Sequence, residues 1–538
     1  MHKMYKGIEL WKKDITRDMV EVEISDDFFI KTYPKLPKNI FESFKNTTYR
    51  MPEKTAVVDN WGRAFSYGEL LHKTDLFSAW AYEKLGIRRG THVALMLYNS
   101  VEFCVTFLSL NRIGAVVIPL PTKYRKDEIR SLLEKSDVDF IITDERFNDY
   151  FDFCKEENIS VTVFPDGEKA YALDEFSCHM TEELKRAEEE VTNKDLALLV
   201  FTSGTTSQSK GVVIKNYNIM HAIVSYERTL KITEKDRAII PIPIYLITGL
   251  VAIFGLMMHV GGTVYLNKFF DGKRVLEDVK KYEITFLHAS PTVFTLLLKE
   301  ANAYPRLPSL RMFACGSSNM PPGKIRMLHN WLPNCEFRTI YGLTETTSPA
   351  TVFPIDANES PYIGSSGIPI PGLSFKILDN EGKEVPPGTE GTVWVKGSNI
   401  TECYYKMETE AIQDHWLDTG DIGYFNESGY IYIVDRRKDM INRGGEKICS
   451  FDVENEILNI PGVEDAAVVG IPDELYGEVP VAVVKLGKDS LLTEEEIRKI
   501  LKNKIAGFKI PQKIIKVDSI PVTENMKTDK KYIRQLFS

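Results

Sequence analysis

Residues 199–214 read LVFTSGTTSQSKGVVI. An apolar, β-branched run leads into a Ser/Thr/Gly loop, and Lys210 and Gly211 open a second apolar run. Small residues let backbone N–H groups crowd around an anion; hydroxyls add donors, and a lysine adds positive charge. That chemistry is a phosphate grip. It is not a Walker loop, because Lys210 is followed by glycine and a strand pattern, not by a Ser/Thr that opens a helix. A Ser/Thr-rich hairpin turn is the plainer reading of the same residues.

Further groups with chemical potential follow in chain order. Tyr341, Thr344 and Glu345 come directly after a strand-like run, and Asp421 follows Thr419 and Gly420. Arg436 and Lys438 lie in a charged turn, Gly444 and Gly445 just beyond it, and Lys527 after Pro521 and Thr523. Taken singly, Asp421 is a turn aspartate, Tyr341 a core aromatic, Glu345 a solvated helix carboxylate and Lys527 a surface lysine.

The elements that must position these groups alternate. Apolar runs at 92–97, 116–120 and 140–143 read as strands, with helical spacing at 102–113 and 125–136 between them. Strand–helix alternation predicts an α/β unit with a largely parallel sheet. From 375 to 396, short alternating strands with Gly/Pro turns predict a small antiparallel barrel or sheet. A compact α+β pattern follows the charged turn 435–439, so the expected division is 1–435 and 436–538. The run 250–266, broken by Gly255, His259, Gly261 and Gly262, predicts a buried helix, a glycine turn and a strand, not a membrane span.

A chain of 538 residues is too long for one core. With 43% hydrophobic and 27% charged residues, it is of globular type. The 67 basic and 76 acidic residues leave a net charge of −9, which excludes a global field drawing it to nucleic acid or an anionic membrane. The stretch 498–538 is locally basic, with eleven Lys/Arg against Asp518, Glu524 and Asp529, as either a solvated face or a lid drawn to polyphosphate. Seven scattered cysteines without a C-x-x-C pair predict reduced thiols and a cytoplasmic location, and the charged N-terminus predicts no signal peptide. No His/Cys cluster has the spacing of a metal site.

In their order and separation, these motifs resemble the adenylate-forming superfamily of acyl-CoA synthetases, adenylation domains and beetle luciferase. Weaker motifs extend the resemblance over nearly the whole chain: residues 66–70, 111–115 with Pro119, and 507–511. The resemblance implies a large N-terminal α/β domain carrying the small antiparallel unit, and a smaller, mobile α+β C-terminal domain. It implies that a carboxylate attacks the α-phosphate of ATP, giving an acyl-adenylate and pyrophosphate, and that a thiol then displaces AMP. Thr202, Ser203, Gly204, Thr205, Thr206 and Lys210 would hold the β/γ-phosphates. Glu345 would bind Mg²⁺, Thr344 the α-phosphate, Tyr341 the adenine, and Asp421 with Arg436 the ribose; Gly316 and Ser317 would help bind the nucleotide. Lys527 would bridge carboxylate and α-phosphate oxygens, Lys438 would be the hinge, and Gly444 and Gly445 would flank the pantetheine tunnel.

The acyl pocket is expected around Tyr245, Leu246, Gly249 and Ser318. No carboxylate lies in 244–250 to pair with an α-amino group, which disfavours an amino acid substrate. Residues 416–438 look closest to fatty-acyl-CoA synthetases, so a medium- or long-chain fatty acid is expected, with an aryl acid as the alternative. The acceptor would be CoA or the phosphopantetheine of a separate carrier protein. Ser207, Ser209, Met526 and Cys403 stand where this superfamily favours Gly, Pro, Gly and Gly, and Leu246 replaces a frequent histidine.

Overall fold

The structure is a computed structural model that describes residues 4–25, 28–155, 159–165, 176, 178–202, 209–488, 490–523 and 527–537. Two large sheets form the body. In the first, the strands Leu196–Thr202, Val116–Pro119, His92–Met96, Phe140–Asp144 and Ser160–Phe164 lie side by side and parallel. Lys210–Lys215 returns antiparallel along its edge, with Lys210 opposite Thr202. Residues 203–208, between these two strands in the chain, lie outside those described.

The second sheet has nine strands. Its middle runs parallel through Glu336–Tyr341, Met312–Cys315, Phe286–Ala289, Arg237–Ile240, Thr263–Leu266 and Thr55–Val58. Between the sheets runs the helix Val101–Ile113, buried along its whole length. Ser100 caps its start by accepting from Phe103 N, and Gly114 ends it in the left-handed region at φ 82°. A side chain there would also strike Val191 Cγ2, so only glycine fits. Arg112 is tolerated inside because Asp75 and Glu188 hold it at 2.6 and 2.7 Å.

The segment 250–266 is helix, glycine turn and strand as read, with one difference. Thr248–Gly255 winds as a π-helix before Leu256–Val260 becomes α-helical. The small antiparallel unit is a six-stranded sheet that recruits Tyr5–Lys6 from the start of the chain. Its strand Ile431–Arg436 pairs with Trp416–Phe425, placing Arg436 opposite Asp421. The last five-stranded sheet carries Ser450–Leu458 and Glu494–Leu501 on one face and Lys530–Gln535 on the other. A mixed α/β architecture of one large and one small unit results.

Candidate functional site

A cavity of about 550 Å³ opens at the C-terminal ends of the second sheet's parallel strands, facing the hairpin of the first sheet and the small unit. Strand ends gather side chains from distant parts of a chain, and ligands in open α/β sheets sit there. Thr202, Lys210, Tyr245, Leu246, Gly316, Ser317, Thr344, Glu345, Arg436, Lys438 and Lys527 all border it. Tyr341 and Asp421 lie just behind the wall, joined by a 2.6 Å hydrogen bond from the tyrosine hydroxyl to Asp421 Oδ2. Arg436 Nε stands 3.4 Å from Asp421 Oδ1. Burial pushes the Asp421 carboxyl up, while the Arg436 charge and the Tyr341 hydroxyl oppose that shift.

Other expectations meet a different geometry. Ser203, Gly204, Thr205 and Thr206 lie outside the described residues. Gly249 does not border the cavity; it lets the π-helix approach Pro243 and Ile244, whose backbone a Cβ would meet at 2.8 Å. Ser318 is exposed and also lies off the cavity. Gly444 and Gly445 form the exposed turn of a hairpin at φ 60° and 93°, away from the cavity in this domain arrangement. Their conformation alone demands glycine.

Five cationic side chains border the cavity: Lys210, Arg436, Arg437, Lys438 and Lys527. Against them, among the described residues, stand the carboxylates of Glu345 and Asp418. The excess positive charge suits a polyanion. Lys527 comes from the small unit, on a loop closed by Thr523 N–H to Lys527 C=O at 2.6 Å and Asp529 N–H to Pro521 C=O at 2.9 Å. Lys527 is an exposed residue that borders the cavity, where desolvation lowers its pKa to about 8, helped by Arg436 and Lys438 and opposed by Glu345 and Asp421.

Sequence reasoning missed several contributors. Tyr404 donates to Glu345 Oε1 at 2.9 Å, and Lys210 Nζ lies over its ring, 4.8 Å from the centroid. Glu345 is further held by Thr401 N–H donating to its backbone carbonyl, while Asn399 Nδ2 donates to Thr346 and Pro349 carbonyls. Asn99 accepts from Ile244 N and donates to Ile242 and Asn267 carbonyls, fixing the loop that carries Tyr245 and Leu246. His288 is the penultimate residue of a buried strand and borders the cavity. Its one legible signal was a histidine interrupting an apolar strand run.

Such a site, on paired α/β sheets with a small domain supplying a lysine, defines the class of adenylate-forming enzymes. The chain belongs to the AMP-binding enzyme family: that family's model matches residues 44–405, and the model of its C-terminal domain matches residues 452–527. An oxalate–CoA ligase of Arabidopsis thaliana is 29% identical, the match covering 92% of this chain and 97% of that one. A 2-succinylbenzoate–CoA ligase of Bacillus licheniformis is 31% identical over 87% of this chain and 94% of its own. Among solved structures, o-succinylbenzoate coenzyme A synthetase from Bacillus subtilis, in complex with ATP and magnesium ion, superposes with a TM-score of 0.76. It is 26% identical, covering 91% of this chain and 98% of that one. Among the described residues, no helix is long and apolar enough to cross a membrane.

Proposed function

We propose that this chain is an ATP-dependent acid–CoA ligase, acting on an aryl carboxylic acid. The observation that carries the reading is the convergence of Lys527, Arg436 and Lys210 on one cavity with Glu345. In the first half-reaction, a carboxylate oxygen of the acid bonds to the α-phosphorus of ATP and the bond to pyrophosphate breaks. Two anions must approach each other, so cations at the reacting centre lower the barrier. Lys527 sits to neutralise the carboxylate and α-phosphate oxygens, and Lys210 the terminal phosphates. In the second half-reaction, the CoA sulfur bonds to the acyl carbon, AMP leaves and the thiol proton is released.

Glu345 offers a carboxylate oxygen at the cavity wall, the donor a hard cation prefers. Among the described residues, no group of three His/Cys/Asp/Glu could hold a metal ion by itself. The donor set therefore fits Mg²⁺ shared between one carboxylate and the nucleotide's phosphates. Bound there, the ion would neutralise phosphate charge; Glu345 would orient it, and Tyr404 would hold Glu345.

The acids named for the two relatives, oxalate and 2-succinylbenzoate, differ in size and shape, so family membership leaves the acid open. An aryl acid is favoured over a fatty acid because the acyl wall mixes Tyr245, Leu246 and Ile340 with polar His288 and Ser348. A saturated chain would leave His288 without a partner.

Pyrophosphate release, measured across aryl, fatty and small dicarboxylic acids with and without CoA, tests the reading. Multiple turnover with an aryl acid only when CoA is present is the expected result. Adenylate that forms but is not discharged by CoA would instead assign the acceptor to a carrier-protein phosphopantetheine.

A further inference from the structure

His288 lies one residue before the end of the strand Phe286–Ala289 and borders the same cavity as Leu246 and Thr248. Its side chain is almost wholly enclosed, at 1% exposure, yet neither ring nitrogen has a hydrogen-bond partner among the described residues, and Nδ1 is shut off from solvent. Nε2 lies against Gly316: a Cβ on that glycine would stand 3.4 Å from it. The equally buried His221 shows the usual solution. Its two nitrogens are satisfied at 2.9 Å each by Thr32 Oγ1 and the Pro371 carbonyl.

An enclosed polar group without a partner is destabilising, because it has given up water and gained nothing in exchange. Such a group in a native protein calls for an explanation, and its place on the cavity wall offers one in a bound ligand. Burial also pushes the imidazole pKa down to about 3, so the ring is neutral, with one donor nitrogen and one acceptor nitrogen. A second polar feature lies beside it. Tyr226 faces His288 with ring centroids 5.7 Å apart, and its hydroxyl shares a 2.7 Å hydrogen bond with Ser348 Oγ on the cavity wall.

Resting on the ligase reading above, we infer that His288, with the Tyr226–Ser348 hydroxyl pair beside it, forms a hydrogen-bonding subsite for a neutral polar substituent on the acyl group. The substituent is a hydroxyl or a carbonyl oxygen on an otherwise apolar, aryl acid. A site built to hydrogen-bond a substrate group rejects the analogue lacking it more strongly than an apolar pocket rejects a hydroxyl. His288 is thus a specificity-determining residue.

The test compares kcat/KM for hydroxycinnamic and hydroxybenzoic acids with their unsubstituted parents, in the wild-type enzyme and in His288→Leu and His288→Gln. The expected result is at least a 10-fold preference for one hydroxylated acid, falling to within twofold in His288→Leu and partly restored in His288→Gln. Binding of the matching acyl-sulfamoyl-adenosine pair to the wild-type enzyme gives a readout independent of turnover and of variant folding. The hydroxylated analogue should bind at least 10-fold tighter. Equal binding of the pair, or a preference that survives in folded His288→Leu, overturns the inference while leaving the ligase reading intact. No CoA-dependent AMP formation with any acid overturns the ligase reading, and this inference with it.

Discussion

The Tyr404 hydroxyl lies 2.9 Å from Glu345 Oε1 while its ring sits beneath the ammonium of Lys210, linking two charged groups of opposite sign from distant parts of the chain. A hydrogen bond to a charged group is worth about 1.5–3 kcal/mol. Tyr404→Phe keeps the ring under Lys210 and deletes only the bond to Glu345. Its KM for magnesium–ATP should rise about 10-fold, with a smaller change in KM for the acid. Initial rates at varied ATP check this, and an unchanged KM would show that Glu345 needs no such support.

Lys527→Met should slow pyrophosphate release on the order of 100-fold, the effect of losing about 3 kcal/mol of transition-state stabilisation. Conversion of supplied acyl-adenylate to the thioester should survive. Because the ammonium's pKa is lowered to about 8, the free enzyme loses this cation as pH rises past that value. The first half-reaction's kcat/KM should therefore fall on the alkaline side of pH 8 in the wild type. Lys527→Met should lack that limb of the profile.

The small unit is pinned in this arrangement by the helix that follows Lys527. Lys530 Nζ donates to Ser450 Oγ at 2.9 Å and lies 3.9 and 3.8 Å from Asp435 and Asp439, the aspartates that flank Lys438. Arg534 reaches Asp439 at 3.7 Å. Lys530→Met should slow adenylation about 10-fold, since buried, multiply paired cations are costly to remove. The thioester step from supplied adenylate should change less than twofold. Single-turnover measurements of the two steps separate these outcomes, and equal losses in both would mean general unfolding of the unit.

Lys438 lies between Arg437, whose N–H bonds the Gly420 carbonyl, and Asp439, whose N–H bonds the Arg436 carbonyl. Fixing φ with Lys438→Pro should hold the unit where Lys527 faces the cavity. Adenylate should still form, while its CoA-dependent discharge should fall at least 10-fold. Full CoA turnover in that variant would remove Lys438 as the hinge.

Glu454 is enclosed behind Lys530, and burial pushes its carboxyl up to about 7 against the pull of Lys530 and the Val468 N–H. A raised carboxyl pKa favours the folded state while protonated. That contribution is complete below the unfolded pKa near 4.3 and is lost as pH rises through 7. Glu454→Gln keeps an acceptor for Val468 and removes the titration. The variant's melting temperature should exceed the wild type's at pH 8 and match it near pH 4, as differential scanning calorimetry would record.

Local chemistry made much of this molecule legible in its sequence. Alternating apolar runs announced the parallel strands, because burial on both faces demands them. Ser66 and Glu69 cap their helix by a bond pattern confined to neighbouring residues. That same pattern shows that some motif residues serve the fold: Tyr67 donates to the Met257 and Gly262 carbonyls, and Asn111 ties Asn39, Phe41 and Asn216 together. Thr202 and Lys210 pair across antiparallel strands, and both border the cavity.

By itself, the order of motifs determined the family, the strand–helix framework and the main charged residues at the cavity. Only the tertiary structure decided that Tyr404 holds Glu345, that Asp421 is backed by Tyr341 and Arg436, and that His288 lacks the partners His221 has. The two tyrosine bonds join residues 59 and 80 positions apart in the chain. Helical and strand periodicity reach only across neighbouring turns and pleats, so whether a buried polar group finds its partner is settled by which strand ends the sheet brings together.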